Sequence, residues 1–322
     1  MSFVCILFVI RSVVLGPVFG GTRLSCPSRQ IVPIALLACT IDALLAKYAI
    51  YCVTGDQLGK EINMAGTIGF VGAGRIARIL MAGWMRAGEK FAEVRVSDPD
   101  AEAIERLVKL GGEGGIKATT LQEVGKTSVL FLAVHPPVLE KVCRELAAHL
   151  GAETIVISLA PKFTLARLRE WLGGDVPLAR MIPNAGSYVG KGFNPVCFGP
   201  TLSEQQREAI LALLRPLGMT PIVDEALLEA YAISAGMGPT YFWPQLYELR
   251  SFLQEAGMSD DDVRIALNEM LQGTISVMFE SGLSEKEVMD LIPVKPLADI
   301  EASLREAYRS KLREFMGKLR PQ

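Results

Sequence analysis

The segment that most constrains this chain is an apolar run that ends in glycine and opens into a helix pattern. The run is Thr67–Val71, followed by Gly72, Ala73, Gly74, Arg75, Ile76 and Ala77. In such a G-x-G-x-x-A pattern the first glycine allows a tight turn, and the second lets the backbone approach a pyrophosphate. Small Ala77 lets the helix pack closely on the strand, while free N–H groups at the helix start meet the anion. The pattern predicts a dinucleotide-binding turn; the alternative is a glycine-rich turn without a ligand.

A second strand pattern, Glu93–Ser97, follows the predicted helix Arg75–Ala87 and ends in Asp98. An acidic residue at this place hydrogen-bonds an adenosine ribose and repels a 2′-phosphate, which favours NAD over NADP. Asp98 also precedes Pro99 and a helix pattern, so the alternative role is a helix N-cap with proline at the first position. Both roles stay open from the sequence.

The composition fits an enzyme-sized globular protein and excludes several classes of function. The chain has 322 residues, 50% of them apolar and 21% charged, with a formal net charge of −2. This length suffices for two domains, and the balanced charge gives no sign of a nucleic-acid surface. The six cysteines form no C-x-x-C pair and there are only two histidines, so we predict no metal site. We expect Cys143 and Cys197 to be reduced thiols in the core.

Residues 1–63 differ from the rest. They hold four of the six cysteines and two apolar stretches, residues 3–19 and 31–53, that charged residues interrupt. Neither stretch is a clean span of about 20 apolar residues, and no charged n-region precedes the first. Because Met64 stands just before the first strand, we expect translation to start there, with an over-extended gene prediction upstream and a cytoplasmic protein. The alternative is a membrane anchor or a targeting segment.

From Met64 the strand and helix patterns alternate, and after about Asp224 only helix patterns continue. The alternation predicts a doubly wound parallel sheet, a Rossmann domain of residues 64–224. Its later strands include Ser128–Val134, Thr154–Leu159, Pro177–Met181, Val196–Phe198 and Thr220–Val223. Apolar spacing and helix breakers predict an all-helical domain of residues 225–322. We expect the long apolar faces of this domain to pair with another copy, as a homodimer or higher homo-oligomer.

Five motifs in order resemble the pyrroline-5-carboxylate reductase family. They are Ile68–Gly74, Val129–Pro136, Ile155–Ser158, Arg180–Asn184 with Val189–Gly192, and Gly236–Tyr241. The resemblance covers about Met64 to Ile300. It implies a Rossmann domain joined to a helical domain that interlocks in a dimer. It also implies NADPH- or NADH-dependent reduction of a C=N bond in a small imino acid, most specifically of pyrroline-5-carboxylate to proline.

The resemblance and the fold together suggest roles for individual residues. The predicted cofactor-binding residues are Gly72, Ala73, Gly74, Arg75, Ile76, Ala77, Asp98, Ala133, Val134 and Pro136. Two catalytic residues are predicted. His135 follows the carboxyl end of a parallel strand, where ligands bind, and is expected to touch the cofactor or shuttle a proton; alternatively it is a loop histidine beside two prolines. Asn184 resembles the family residue near nicotinamide and imine; alternatively it is a turn residue.

The chain departs from the family on the substrate side. The stretch Pro293–Asp299 matches a family loop "SSPGGTT" but lacks its glycines, and it contains Lys295 and Asp299 instead. Met237 stands for the serine of "GSGPAY", His135 for the lysine of "VKP", and Pro161-Lys162 for an Ala-Gly pair. We predict that Lys295 offers a cation to the substrate carboxylate in place of a shaped N–H cradle. Met237, Gly238 and Asp299 are the other predicted substrate residues.

These departures leave alternatives open. A paralogue acting on another imine would keep the cofactor half and change the substrate half. A non-catalytic dinucleotide-binding dimer would bind cofactor while no imine oxidises it. Another dinucleotide-dependent reductase, such as a deazaflavin-dependent one, shares the first domain, but the motifs from Arg180 onward argue against it.

Overall fold

The structure is a computed structural model, and it describes residues 66–111 and 115–321. The predictions for residues 1–63 therefore lie outside the described residues. Within the described ranges no helix is long and apolar enough to cross a membrane.

The first part of the described chain alternates strands and helices around one sheet. Its elements are β1 (Thr67–Val71), α1 (Arg75–Ala87), β2 (Glu93–Ser97), α2 (Ala101–Leu110), β3 (Ile116–Ala118), α3 (Leu121–Val124), β4 (Val129–Leu132), α4 (Pro136–Leu146), β5 (Ile155–Ser158), α5 (Leu165–Leu172), β6 (Leu178–Met181), β7 (Gly192–Phe193), β8 (Val196–Phe198), α6 (Glu204–Leu214) and β9 (Gly218–Met219). Seven strands form the sheet, in the order β3-β2-β1-β4-β5-β6-β8. All neighbours run parallel except β8, which is antiparallel to β6. The strand order reverses between β1 and β4, as in Rossmann folds, so the predicted fold class is confirmed.

The core lies on both faces of this sheet. Every residue of β4, β5 and β6 is buried, which explains why β4 is wholly apolar and why β5 and β6, each with one polar residue, show no alternation. On one face the rings of Phe70 and Phe131 stack with centroids 5.3 Å apart, and Trp84 packs 5.7 Å from Phe131. The indole Nε1 of Trp84 donates to the carbonyl of Leu213 at 2.8 Å, so a buried polar group is paired. Leu130 occupies the opposite face.

Two details differ from the sequence predictions. The stretch Thr220–Val223 is not a strand; β9 precedes it, and Ile222 makes only an isolated bridge to Val196. Pro221 has no N–H to donate, so a regular ladder cannot continue through it. The strands β3, β7 and β9 were not predicted, because two or three residues carry too little periodicity to read.

The second part of the described chain is helical. It contains α7 (Leu228–Tyr231), a π-helical turn (Ala232–Gly236), α8 (Pro239–Glu255), α9 (Asp260–Glu280), α10 (Glu285–Asp290) and α11 (Glu301–Leu319). Ser259 is the N-cap of α9, since its side chain accepts from the N–H of Asp262. Between residues 239 and 321 only Val263 and Leu319 are buried. Large apolar side chains in this range are exposed to solvent; Phe252 is 64% exposed and Phe279 is 73% exposed.

Candidate active site

The turn between β1 and α1 requires glycine at its first position. Gly72 has a φ of +104°, a left-handed conformation that side chains disfavour. A Cβ there would lie 2.5 Å from the carbonyl oxygen of Ala133, which follows β4. The N–H of Gly72 donates to the carbonyl of Ser97 at 2.8 Å. Gly72 therefore locks the β1 turn against the ends of the two neighbouring strands.

Gly74 has a different reason to be glycine. It is the N-cap of α1, and a Cβ added to it would meet nothing within 4 Å. The open space lies beside the first turn of α1, whose N–H groups have no carbonyl partner within the helix. No acidic residue stands in that turn. Ala77, one turn on, is fully buried. The turn thus offers a positive cradle that fits the pyrophosphate of a dinucleotide.

Asp98 fastens the end of β2 to this turn. One carboxylate oxygen accepts from the N–H of Ala73 at 2.7 Å, and the other accepts from the N–H of Asp100 at 2.8 Å. The alternative role of Asp98 as a helix N-cap is wrong, because Asp100 caps α2 by accepting from the N–H groups of Glu102 and Ala103. Asp98 stands beside the glycine turn, where a ribose would lie. Its contact with the ribose stays a prediction.

The residues after β4 form the facing side of the crevice. The N–H of Ala133 donates to the carbonyl of Val71 at 2.8 Å, which joins this loop to the β1 turn. His135 is the N-cap of α4 and Pro136 is its first residue. The His135 side chain is exposed and makes no capping hydrogen bond. The His135 side chain is therefore accessible to a ligand, and no protein group that the structure describes fixes its position.

Asn184 lies after β6, and both ends of its amide are occupied. Its Oδ1 accepts from the N–H of Gly186 at 2.8 Å and caps a short 3₁₀ turn, Ala185–Val189. Its Nδ2 donates to the carbonyl of Ala235 at 2.6 Å, within the π-helical turn. Asn184 thus ties the end of β6 to the segment that leads into Met237. The geometry is that of a positioning residue, and its predicted catalytic role is untested.

The predicted substrate residues divide into two groups. Met237 packs against the sheet core, and Gly238 is buried with its backbone against the carbonyl of Ser234. Lys295 and Asp299 lie on the exposed segment between α10 and α11. Within the described residues no hydrogen bond or ion pair links these two side chains to the strand ends. Within a single chain the loop after β4 and Met237 therefore share one core, whereas Lys295 and Asp299 form no such link in the described residues.

Sequence reasoning missed a buried ionic network at the end of β6. Arg180 is 1% exposed and donates to a carboxylate oxygen of Glu225 at 2.8 Å and of Glu229 at 2.6 Å. The same oxygens accept from the N–H groups of Leu165 and Lys162, at 2.6 and 3.0 Å. A buried charge is costly unless it is paired. The signal was present, since an arginine inside an apolar strand predicts a buried partner.

The two described thiols are not nucleophiles. Cys143 and Cys197 are buried and unpaired, and burial raises the pKa of each thiol from 9.0 to about 12. A thiol with such a pKa stays protonated near neutral pH and is a poor nucleophile. The prediction of reduced thiols in the core is confirmed.

Comparisons with known proteins agree with this geometry. A family model described as "NADP oxidoreductase coenzyme F420-dependent" matches residues 67–162. The pyrroline-5-carboxylate reductase of Pseudomonas aeruginosa is 28% identical over 242 residues, which cover 74% of this chain and 87% of that protein. The enzyme of the same name from Corynebacterium melassecola is 27% identical over 256 residues, or 77% of this chain and 92% of that protein.

Solved structures with similar folds carry related names. The pyrroline carboxylate reductase of Plasmodium falciparum, solved with NADP bound, has a TM-score of 0.60 at 16% identity and covers 80% of this chain and 94% of that one. The 1-pyrroline-5-carboxylate reductase of Streptococcus pyogenes has a TM-score of 0.58 at 20% identity, with 79% and 94% covered. At such identities these likenesses concern the fold.

The fold, the glycine turn and the matched families define the class, a Rossmann-type NAD(P)-dependent oxidoreductase. Within that class, the chain is similar to pyrroline-5-carboxylate reductases over about three quarters of its length. The resemblance predicted from its five motifs is confirmed.

Proposed function

We propose that this protein is an NADPH- or NADH-dependent reductase of a C=N bond in a small imino acid, and that it converts pyrroline-5-carboxylate to proline. The observation that carries the proposal is the glycine turn, with Gly72 locked against Ala133 and Gly74 facing open space. The names of the relatives support the substrate. A location in the cytoplasm and the domain limits at residues 64, 224 and 322 remain parts of the same proposal.

The residues at the carboxyl ends of the strands have separate roles in this reaction. The bound dinucleotide supplies a hydride. The N–H groups of residues 74–77 would hold its pyrophosphate, Asp98 would accept from the ribose, and Ala133, Val134 and Pro136 would line the nucleotide site. Asn184 fixes the π-helical turn and thereby the position of Met237, the predicted substrate residue that follows it.

The site contains few acids or bases, and the proposed reaction needs few. A cyclic imine can arrive already protonated, so hydride transfer requires alignment more than a strong general acid. His135 is the exposed titratable side chain at the end of β4 and is the candidate for proton exchange with solvent.

We further propose that the helical part pairs with a second copy of this chain. Helices α8, α9 and α11 contribute only Val263 and Leu319 to the buried residues, while Phe252, Phe279 and many other large apolar side chains are exposed. Such extended apolar surface is typical of protein–protein interfaces. A two-fold dimer covers it with the same surface from the other copy. It also offers a route by which Lys295 and Asp299 of one copy reach the strand ends of the other.

The cofactor site is tested with a matched pair of glycine variants. Gly74 and Gly273 both face open space, but Gly74 lies at the turn and Gly273 lies in the middle of α9. We expect Gly74→Ala to keep the fold and weaken NAD(P)H binding at least tenfold, because a methyl group enters the pyrophosphate cradle. Gly273→Ala should bind cofactor normally. Equal cofactor dissociation constants for Gly74→Ala and the unmodified protein would refute the site.

The reaction is tested with purified protein, NADH or NADPH, and pyrroline-5-carboxylate, followed by the absorbance of reduced nicotinamide. Substrate-dependent loss of absorbance is expected. Bound cofactor without oxidation would instead identify a dinucleotide-binding protein with no such activity. If a different cyclic imine, and not pyrroline-5-carboxylate, oxidises the reduced nicotinamide, the protein is a paralogue. The altered loop Pro293–Asp299 favours this paralogue as the second candidate.

The role of Lys295 has its own test. Lys295→Ala is expected to raise the KM of a carboxylate substrate, because a cation is lost from the substrate loop. Lys286→Ala, at another exposed lysine of the same region, is the control. An unchanged KM in Lys295→Ala would show that this lysine does not bind the carboxylate.

A further inference from the structure

The loop that follows β5 contains a backbone conformation that its residue does not favour. Lys162 has a φ of +86°, and it is the one non-glycine residue with positive φ among those that the structure describes. A left-handed conformation costs an L-residue about 1–2 kcal/mol. The loop lies at the carboxyl end of the strand between β4 and β6, the edge where open α/β sheets bind ligands. Strain of this kind tends to persist at functional sites.

Hydrogen bonds from both ends of the loop hold it in this shape. The N–H of Lys162 donates to Glu229 at 3.0 Å, and the N–H of Leu165 donates to Glu225 at 2.6 Å. The guanidinium of Arg180 forms an ion pair with both carboxylates. The strained residue is therefore fixed by a buried network that joins β6 to the start of the helical part.

The network carries an unbalanced charge. One guanidinium faces two carboxylates, and the second oxygen of Glu229 is buried without a hydrogen-bond partner in the described structure. An anion that approaches this edge would meet the excess negative charge. The ammonium group of Lys162 forms no ion pair with any residue that the structure describes, and its side chain is half-buried. Lys162 thus places a cation, unpaired among the described residues, on the loop beside this network.

We propose that Lys162 is a specificity-determining residue, whose ammonium group pairs with the carboxylate of the imino-acid substrate alongside the predicted cation of Lys295. Glu229 and Arg180 are positioning residues that hold its backbone. The proposal rests on the proposed function. The cofactor pyrophosphate is the less suitable partner, because its cradle follows β1, two strands from β5 and about 10 Å away at ordinary strand spacing. The nicotinamide half of a bound dinucleotide would extend across the switch point toward β4 to β6, and there the reacting substrate would bring its own anion.

The kinetic test compares Lys162→Met and Lys162→Arg, with Lys191→Met at an exposed lysine as control. We expect Lys162→Met to raise the KM of pyrroline-5-carboxylate about 10- to 100-fold, the loss of one charge-assisted hydrogen bond. Its kcat/KM for 1-pyrroline, the same ring without the carboxylate, should change less than about twofold. Lys162→Arg should restore most of the affinity. An unchanged KM, or a weaker NADPH affinity in its place, would overturn the proposal.

Two further measurements do not depend on turnover. Acetylation of lysines, located by peptide mass spectrometry, should be suppressed at Lys162 by NADPH with L-proline and should be unaffected at Lys191. Lys162→Gly should be at least as stable as the unmodified protein, because glycine adopts the left-handed conformation freely. A loss of activity in that variant is then not a loss of fold.

These outcomes separate the two proposals. Protection of Lys162 without reduction of any imine would contradict the proposed reaction and leave a carboxylate site. Reduction of pyrroline-5-carboxylate with neither protection nor a KM effect at Lys162 would contradict this inference alone.

Discussion

The sheet part and the helical part of this chain differ in what covers their apolar residues. Strands β4, β5 and β6 are buried at every position, whereas residues 239–321 bury only Val263 and Leu319. Local helix formation does not explain the difference, since α9 and α10 have well-formed serine caps. The contrast teaches that the sheet buries its apolar residues within one chain, whereas the helices leave most of theirs exposed.

The energetic consequence is substantial. Burial of a phenylalanine that is otherwise exposed stabilises a structure by about 1.5–3 kcal/mol. Phe252, Phe279 and Leu297 are each more than 60% exposed. Several such side chains covered together would stabilise a dimer, and they contribute little to one chain alone. Measurements on the two parts should therefore respond differently to protein concentration.

The largest effect is expected at the network that joins the two parts. Arg180→Met leaves Glu229 buried without its cation, and breaking such a pair costs about 3–5 kcal/mol. Urea unfolding at fixed protein concentration measures this loss. The exposed pair Arg264–Asp261 is the control, and Arg264→Met should change the free energy of unfolding by less than about 1 kcal/mol. Equal effects in the two variants would mean that the network does not stabilise the fold.

A second pair of variants tests the comparison directly. Leu130→Ala removes a fully buried side chain of β4 and should cost about 2–5 kcal/mol at every protein concentration. Phe279→Ala should leave the unfolding of the sheet part unchanged and weaken the dimer. Sedimentation velocity over a dilution series measures the latter. If Phe279→Ala leaves the association constant unchanged, a second copy does not cover this residue.

The buried thiols report on the sheet part alone. Because burial raises the pKa of Cys143 and Cys197 to about 12, both are protonated in the folded protein while the unfolded chain ionises them near pH 9.0. Their contribution is fully present below pH 9.0 and is lost as pH rises toward 12. At pH 10 the loss is about 1.4 kcal/mol per thiol. Denaturant titrations at several pH values measure it.

Thiol labelling, located by mass spectrometry, adds a control to that experiment. Dilution that separates the copies should leave both thiols unreactive, because their cover comes from their own chain. If dilution alone made Cys143 or Cys197 reactive, the burial of these thiols would depend on a second copy of the chain.

The smallest effect is expected at Gly273. A Cβ at this position in α9 meets nothing within 4 Å, so Gly273→Ala should stabilise the helix by up to about 1 kcal/mol. Thermal unfolding measures the gain. A weaker dimer in this variant would instead place Gly273 at a close helix–helix contact.

The sequence predicted much of the sheet part to the residue. Strands β1, β2 and β8 and helix α1 begin and end where their patterns do. In β1 and α1 the glycine turn and the apolar period indicate the same boundary, which is why the prediction succeeded. Where Pro221 interrupted the pairing, strand propensity alone misled.

The site was predicted less completely. The turn from Gly72 to Ala77 is a local motif, and its geometry follows from adjacent residues. The contacts of Arg180 with Glu225 and Glu229 span more than 40 residues, so no spacing rule predicts them. The left-handed conformation of Lys162 depends on that same long-range network. The residue types alone allowed either Asp98 or Asp100 to cap α2. Only the hydrogen bonds of the structure assign the cap to Asp100 and place Asp98 at the glycine turn.

The positions of the three tryptophans make the chain its own optical reporter. Trp84 and Trp171 are buried in the sheet part, whereas Trp243 of α8 is 47% exposed. Emission from the first two should shift to the red only when the sheet unfolds. Emission from Trp243 should shift to the blue when its face leaves water. One spectrum, recorded during dilution, therefore follows assembly and folding as separate events.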